Sequence, residues 1–140
     1  MDHLTPEARS ANMRAVRRQD TAPEMRVRRL LHRAGYRYRL HTKALPGAPD
    51  IVFGSRRKVV FVHGCFWHGH DCRKGSLPKS RTDYWRGRIA RNRARDVRAV
   101  AQLTAAGWGA LVVWECEMAD TDLLLARLRA FLDWPPIQTV

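Results

Sequence analysis

The chain has 140 residues, which suits one domain with one hydrophobic core. Hydrophobic residues make up 45% and charged residues 28% of the chain, so the composition excludes a disordered protein. No apolar run approaches the roughly 20 residues of a membrane-spanning helix, and the N-terminus lacks the features of a secretory signal. We therefore expect a globular protein of the cytoplasm.

The strongest bulk feature is positive charge. Lysine and arginine together number 26 against 13 acidic residues, which gives a net charge of +13 and a pI near 11.1. Such a charge favours a polyanionic partner, and the planar guanidinium of arginine suits phosphate. A surface that is merely very soluble, or an acidic protein partner, is the alternative interpretation. We predict that the partner is nucleic acid.

The first elements are predicted from caps and periodicity, in chain order. Residues 10–18 are expected to form a short basic helix or arm. Thr21 and Glu24 form a capping box for a second helix, apolar residues then recur at helical spacing, and Gly35 ends that helix. Residues 36–40 alternate apolar and basic side chains, as a half-buried strand does.

The remaining segments predict a small sheet with helices on both faces. Strands at 51–53 and 59–62 are expected to form a hairpin. A long helix follows over 83–106, with Thr82 as cap and Gly107 as stop. A buried central strand at 110–114 and a helix over 122–132, closed by Trp134-Pro135-Pro136, complete the chain. This order indicates an α/β fold over a single domain, residues 1–140, with a small mixed central sheet flanked by helices. Residues 1–19 are its basic N-terminal helix or arm.

Three cysteines and a cluster of histidines predict a metal site. The odd number of cysteines argues against a disulfide framework. Cys65 and Cys72 lie in one segment with three histidines, and Cys116 follows the strand at 110–114. Thiolate and imidazole ligands favour zinc, and a set of three cysteines and one histidine makes a closed, structural site.

Spacing leaves the zinc-binding histidine open among His63, His68 and His70. We prefer His70, because one residue separates it from Cys72 and Gly69 beside it lets the chain turn tightly. Ordinary surface histidines and buried thiols without a metal are the alternative. The preferred zinc ligands are Cys65, His70, Cys72 and Cys116. His63 and His68 then remain for chemistry.

A catalytic carboxylate is expected at Asp50. It opens a strand directly after Pro49, and the hairpin brings the end of the next strand beside it. A carboxylate in that position suits a hard cation such as Mg²⁺, which phosphodiester hydrolysis uses. The arrangement resembles the PD-(D/E)xK nuclease core, with Pro49-Asp50 as the first half. Phe61-Val62-His63 stands where that core has Glu-x-Lys.

One branch of that superfamily has this arrangement. The chain is similar to the very-short-patch repair (Vsr) endonucleases over about residues 8–132. The similarity is carried by Ser10 to Arg14, Leu45-Pro46-Gly47 before Pro49-Asp50, the run HGCFWH at 63–68, Arg81-Thr82 before Tyr84-Trp85, and Val113-Trp114-Glu115-Cys116. The resemblance implies a restriction-endonuclease-like fold and nicking of duplex DNA 5′ of the mispaired thymine in a T·G mismatch, which arises when 5-methylcytosine deaminates.

The resemblance also implies the roles of individual residues. Asp50 and the backbone carbonyl of Val62 would hold Mg²⁺, and His68 would act as the base. His63 would assist near the scissile phosphate, and Glu24 would supply a supporting carboxylate, although the capping box already explains that residue. The family carries threonine where this chain has Val62, a change that keeps the carbonyl and loses a hydroxyl group.

The long helix offers one further candidate. Its apolar residues mark an inward stripe, on which Asn92 and Asp96 also fall. Burial of a carboxylate destabilises the fold unless the group is paired. A buried acid is also the usual means of orienting a catalytic histidine. We therefore predict that Asp96 positions His68. A salt bridge to Arg91 or Arg93 on the helix surface is the alternative.

Aromatic residues predict how DNA is bound. Phe66 and Trp67 lie in a loop between metal ligands, and Trp85 begins the long helix. Rigid apolar rings near a basic surface can wedge between base steps. The resemblance implies that these three rings intercalate beside the mismatch and that the helix bearing Met13 enters the minor groove. For Trp85, core packing is the alternative.

The sequence therefore predicts a Mg²⁺-dependent DNA mismatch endonuclease with a structural zinc ion. We expect a monomer that binds double-stranded DNA with a T·G mismatch at the nucleoid of a bacterial cytoplasm, with mismatch-repair proteins as candidate partners. Two alternatives stay open. One is a related nuclease acting on other mispairs or matched sites, and the other is a zinc-stabilised DNA-binding module without catalysis.

Overall fold

A computed structural model of the chain describes residues 20–134. The predicted N-terminal arm at residues 1–19, including Met13, lies outside the described residues. So do Pro135 and Pro136, which were expected to close the last helix. Among the described helices, none combines the length and the apolar character that crossing a bilayer requires.

Three helices and four strands make up the described part of the chain. The helices are α1 (Ala22–Arg33), α2 (Thr82–Ala105) and α3 (Thr121–Asp133), and the strands are β1 (Arg39–Leu40), β2 (Ile51–Phe53), β3 (Lys58–His63) and β4 (Gly109–Trp114). Short 3₁₀ turns lie at Arg73–Gly75 and Glu115–Ala119. The strands form one sheet in the order β1-β2-β3-β4, antiparallel except for the parallel pair β3–β4. The predicted mixed sheet and hairpin are confirmed.

Local sequence explains where α1 begins and ends. The hydroxyl oxygen of Thr21 accepts the backbone N–H of Glu24 at 3.3 Å, and Pro23 occupies the first turn, where its missing N–H costs nothing. The helix stops at Arg33, and Gly35 turns the chain with a φ of +96°. The predicted cap and stop of this helix are confirmed.

Helices cover both faces of the sheet. Side chains of β3 alternate between the faces, so Val60 packs with α1 and α3, whereas Val59 and Phe61 pack against α2. The same alternation points His63, the last residue of β3, to the α2 side. That side of the sheet carries the cleft described below.

Strand β4 differs from its prediction. A buried central strand was expected, but β4 pairs only with β3 among the described strands, and Val113 is its one fully buried residue. Its apolar run has another cause. Leu111 packs with the core under α1 and α3, while Ala110 and Val112 pack with the core under α2. An edge strand covered by helices on both faces needs apolar residues on both.

The predicted strand at residues 36–40 is shorter than expected, because only Arg39–Leu40 joins the sheet. Residues 36–38, before this strand, are held by side-chain hydrogen bonds instead of by pairing with a neighbouring strand. The hydroxyl of Tyr36 donates to Asp133 at 2.6 Å, and that of Tyr38 donates to the carbonyl of Arg28 at 3.0 Å. Alternation of apolar residues here therefore reports side-chain packing rather than strand pairing.

The cap of α2 was also predicted wrongly. Arg81 is the cap residue, with a left-handed φ of +56°, and Thr82 is the first helical residue. The hydroxyl of Thr82 donates to the carbonyls of Pro78 and Lys79, at 3.1 and 3.2 Å. It therefore ties the helix to the preceding turn instead of capping the helix.

Candidate active site and metal centre

Asp50 lies where the β2–β3 ladder ends. Ile51 pairs with Val60, and one residue further along the carboxylate of Asp50 accepts the backbone N–H of Val62 at 2.7 Å. Glu24, whose side chain is only 1% exposed, is near enough for its charge to act on Asp50. Burial, with the charge of Glu24 adding to it, raises the pKa of Asp50 to about 7 despite the Val62 bond.

This pair of carboxyl groups fits a divalent cation. Two neighbouring carboxyl groups repel each other when both are ionised, and this repulsion adds to burial in raising the pKa of Asp50. A divalent cation held by Asp50 would offset the repulsion between these two buried acids. Asp50 and the carbonyl of Val62 are therefore suitable ligands, with Glu24 beside them.

His41 is a member of this group that the sequence analysis missed. Its Nε2 lies 2.9 Å from Oε2 of Glu24, and its backbone N–H donates to the carbonyl of Asp50 at 3.1 Å. Oxygen and nitrogen atoms of Asp20, Glu24 and His41 all lie within 4.8 Å of one another. A single histidine after a two-residue strand has no pattern that distinguishes it from a surface residue.

A histidine–carboxylate pair lies on the other side of the cleft. Nδ1 of His68 is 2.5 Å from Oδ2 of Asp96, which projects from α2. The ion pairs of Asp96 within residues 20–134 are with His68 and, at 3.9 Å, with His63, not with Arg91 or Arg93 as the alternative required. A carboxylate on Nδ1 fixes the ring tautomer and leaves Nε2 as the acceptor of a proton.

His63 is held neutral. Its ring stacks on that of His68, with the centroids 3.8 Å apart and an angle of 4° between the planes. Burial and the neighbouring charge of His68 lower the pKa of His63 to about 4, against a smaller opposite effect of Asp96. Within the described residues, its Nδ1 is a buried atom without a hydrogen-bond partner. A neutral imidazole with an unpaired nitrogen can interact with a substrate group.

The four predicted zinc ligands come together. Ligand atoms of Cys65, His70, Cys72 and Cys116 all lie within 4.8 Å of one another. A tetrahedral zinc site with bonds of about 2.3 Å places its ligand atoms about 3.8 Å apart, so the cluster needs little adjustment. Cys65 is fully buried, and burial raises the pKa of its thiol to about 12. A metal ion would provide the positive charge that a thiolate here requires.

Two glycines shape the loop that carries three of these residues. Gly69 has a φ of +61°, and a Cβ there would meet the side chain of Ile89 at 2.5 Å. A Cβ on Gly75 would lie 2.0 Å from the carbonyl oxygen of His70. Both positions therefore require glycine, the first for its backbone conformation and the second for the close approach of the chain to itself.

Trp114 lies between the metal cluster and the histidine pair. Its ring stacks on His70, with centroids 4.1 Å apart, and meets His63 edge-on at 5.3 Å. The parallel register pairs Trp114 with His63, so the strands themselves bring the rings together. Next to it, Glu115 accepts the backbone N–H of Cys65 at 3.4 Å. Neither residue was predicted to act at the site, because only strand pairing reveals their neighbours.

The aromatic loop packs against α2. Phe66 and Trp67 contact each other and Trp85 edge-on, with centroid separations of 5.2 to 5.9 Å. Trp85 is only 8% exposed, so it supports the other two rings from below. Asn92 donates to the carbonyl of Trp67 at 2.8 Å, and the guanidinium of Arg88 lies 5.2 Å above the Trp67 ring. The inward position of Asn92 thus fixes the loop.

The catalytic candidates Asp50, His63, His68 and Asp96 line one cleft of about 630 Å³. Its lining also includes His41, Phe66 and Trp67. A strongly basic protein with carboxyl groups, an oriented histidine and aromatic rings in one cleft has the features of a nuclease.

Comparison with known proteins identifies the class. The sequence profile of the family described as DNA mismatch endonuclease Vsr matches residues 1–74. The chain is 61% identical over 132 residues to the type II nicking enzyme V.XorIIP of Xanthomonas oryzae pv. oryzae, covering 94% of this chain and 97% of the relative. It is 42% identical to the type II nicking enzyme V.NmeAIP of Neisseria meningitidis serogroup A, over 91% of each chain.

A third relative carries the family's own name. The DNA mismatch endonuclease Vsr of Escherichia coli is 43% identical over 116 residues, which cover 83% of this chain and 74% of the relative. The chain belongs to the Vsr family of DNA mismatch endonucleases. It is an endonuclease that hydrolyses DNA, and the family predicted from sequence is confirmed.

Proposed function

We propose that the protein nicks duplex DNA 5′ of the mispaired thymine in a T·G mismatch, with Mg²⁺ as catalytic cofactor and zinc as structural ion. The observation that carries this proposal is the convergence of Asp50 and the His68–Asp96 pair on one cleft. The fold alone would not specify a reaction, but this set of groups suits phosphodiester hydrolysis.

The residues of this chain would divide the reaction between them. Asp50 and the backbone carbonyl of Val62 would hold Mg²⁺, which supplies positive charge to the phosphate when bound. His68 would take a proton from the attacking water at Nε2, since its Nδ1 is bonded to Asp96. The water oxygen would form a bond to phosphorus as the bond between phosphorus and the departing 3′ oxygen breaks.

His63 and Glu24 would support these groups. His63 stacks against His68 and is neutral at physiological pH, so it would contact the scissile phosphate without competing for the water proton. The predicted capping box forms only in its Thr21 half, because the side chain of Glu24 accepts the backbone N–H of Asp20 instead of that of Thr21. The nearness of Glu24 to Asp50 suits the role of a supporting carboxylate. The loss of the family's threonine hydroxyl at Val62 leaves the backbone N–H of that residue bonded to Asp50.

Zinc would hold the cleft together from one side. Cys65, His70, Cys72 and Cys116 offer three thiolates and an imidazole, a set that leaves no position open for catalysis. Its bonds would join the loop after β3 to the end of β4, and therefore the aromatic loop to the sheet.

Phe66 and Trp67 would enter the duplex beside the mismatch, with Trp85 as their support. A mispaired step costs less to open than a paired one, so insertion favours mismatched DNA. Met13 would reach the minor groove from the N-terminal arm, residues 1–19 of this one-domain protein. We propose a monomer that acts at the nucleoid of the bacterial cytoplasm, where mismatch-repair proteins are candidate partners.

A nicking assay tests the function. End-labelled duplexes with a T·G pair, with other mispairs and with matched pairs are incubated with the protein and Mg²⁺, and the products are separated on one denaturing gel. We expect a nick 5′ of the mispaired thymine that is absent from matched duplex. Equal cleavage of all duplexes would indicate a related nuclease of other specificity, and binding without cleavage would indicate a DNA-binding module.

Asp50→Ala is the matching variant. It should bind the T·G duplex as the wild type does and lose cleavage, because the proposed cation ligand is gone. Asp122→Ala, which changes an exposed acid in the first turn of α3, is the control and should cleave normally. Cleavage by Asp50→Ala at the wild-type rate would contradict the assigned site.

A further inference from the structure

Glu24 is an acid whose two oxygens are both engaged, although its side chain is 1% exposed. Oε1 accepts the backbone N–H of Asp20 at 3.2 Å. Oε2 accepts a guanidinium hydrogen of Arg28 at 3.4 Å and lies 2.9 Å from Nε2 of His41. A buried carboxylate is costly unless such partners compensate for lost water, so these contacts determine where Glu24 lies.

His41 differs from the other partners of Glu24 because it also touches Asp50. The β1–β2 register pairs Leu40 with Ile51, and the next residue continues it, with the backbone N–H of His41 donating to the carbonyl of Asp50 at 3.1 Å. The backbone of His41 is left-handed, with a φ of +51°. For a residue with a Cβ this conformation costs about 1 kcal/mol and persists only where its surroundings hold it.

We infer that His41 is a positioning residue for the carboxyl pair. Its ring holds Glu24 in place while its backbone holds the residue that bears the second carboxyl group, Asp50. The two acids therefore stand at a fixed separation, which sets the affinity of the site for a divalent cation. This inference rests on the proposed assignment of the catalytic cation to Asp50.

Two features support this role. His41 is only partly exposed and lines the same cleft as Asp50. Its Nε2 is closer to Glu24 than the guanidinium of Arg28 is, so it is the stronger of the two side-chain bonds.

The test compares two replacements of His41. His41→Leu keeps an apolar side chain of moderate size and removes the hydrogen bond, whereas His41→Gln offers an amide N–H that can reach the same oxygen of Glu24. His32→Gln changes an exposed histidine of α1 and is the control. For each protein, the rise in thermal unfolding temperature on titration with Mg²⁺ without DNA gives the cation affinity. The Mg²⁺ concentration for half-maximal nicking is measured in parallel.

We expect His41→Leu to need about tenfold more Mg²⁺ in both measurements, as is usual when the partner of a metal ligand is lost. The KM for the duplex should stay unchanged, because His41 is assigned no contact with DNA. His41→Gln should return to within about threefold of the wild type, and His32→Gln should match it. A wild-type Mg²⁺ dependence in His41→Leu would overturn the inference, and so would equal impairment of the leucine and glutamine variants.

A folding defect does not remove the test. If His41→Leu fails to fold, His41→Asn takes its place, because an asparagine is too short to reach Glu24 and keeps the polarity of the site. Weaker Mg²⁺ binding by His41→Asn than by His41→Gln would then support the inference, and equal binding would overturn it.

Failure of the inference is distinguishable from failure of the proposed function. A wild type that is stabilised by Mg²⁺ but nicks no duplex would contradict the function. The inference would still stand if Asp50→Asn abolished and His41→Leu weakened that stabilisation. A wild type that nicks the T·G duplex, with His41→Leu showing the same Mg²⁺ dependence, would contradict the inference alone.

Discussion

Replacing Asp50 by asparagine should remove the reaction and at the same time stabilise the metal-free fold. Above pH 7 the folded protein holds a buried negative charge on Asp50 next to Glu24, and this raises the pKa of Asp50 from 3.8 to about 7. The folded state therefore binds more protons than the unfolded state between about pH 4 and pH 7. The free energy of unfolding must fall as the pH rises through that window, and it stays at its lower value above pH 7.

The magnitude follows from the same values. A pKa change of this size lowers the free energy of unfolding of the wild type by about 4 kcal/mol at pH 8, since each pKa unit is worth about 1.4 kcal/mol. An asparagine oxygen can still accept the N–H of Val62, which now bonds to Asp50 at 2.7 Å. The amide remains buried and retains part of the desolvation cost. We therefore expect the free energy of unfolding of Asp50→Asn to exceed that of the wild type by about 2 kcal/mol at pH 8. For a chain of this length that is a rise of about 6 °C in Tm.

Thermal unfolding followed by circular dichroism, in zinc-containing buffer without Mg²⁺, measures this effect at pH 4, 5, 6, 7 and 8. The difference in Tm between Asp50→Asn and the wild type should be near zero at pH 4 and should grow toward pH 8. Added Mg²⁺ should then raise the Tm of the wild type but not that of Asp50→Asn. Asp122→Asn, at an exposed acid, is the control and should show no such trend. An Asp50→Asn variant that is less stable than the wild type at pH 8 would refute the reasoning.

Three further changes probe the rest of the site and the fold. Gly75→Ala should expel zinc and lower the Tm, because its methyl group would lie 2.0 Å from the carbonyl oxygen of His70; metal analysis showing full zinc content would contradict this. Asp96→Asn should lower kcat by about 100-fold with little change in KM, because His68 loses the acid that fixes its tautomer; single-turnover nicking at the wild-type rate would be the contrary result. Lys58→Met should lower the free energy of unfolding, measured in urea, by about 2 kcal/mol, because the buried ammonium donates to carbonyls at the end of α3. An unchanged unfolding midpoint would exclude that role.

Much of the fold could be predicted from local signals. The cap at Thr21 and the glycine at position 35 delimited α1, because both act within a few residues of the chain. Apolar runs around a basic turn located the β2–β3 hairpin for the same reason. The edge position of β4 could not be read from its sequence, since an edge strand covered on both faces has the same apolar run as a central one.

Some residues of the candidate site could likewise be predicted from the sequence, and others could not. Dense cysteine and histidine spacing predicted the metal cluster, and the inward stripe of α2 singled out Asp96, which the structure brings to His68. His41 and Trp114 gave no such signal. They reach the site through the β1–β2 and β3–β4 registers, and strand register depends on contacts between residues distant in sequence.

The parallel pairing of β3 with β4 has a consequence for the synthesis of the protein. Residues that pair across these strands, and the thiols of Cys65 and Cys116, lie 51 positions apart in the chain. At ordinary rates of translation, about 3 to 10 s separate their synthesis. During that interval Asp50 and the histidines of the cleft already exist, but the strand and the thiol that would hold them in place do not. The proposed active site can therefore assemble only after residue 116 has been synthesised.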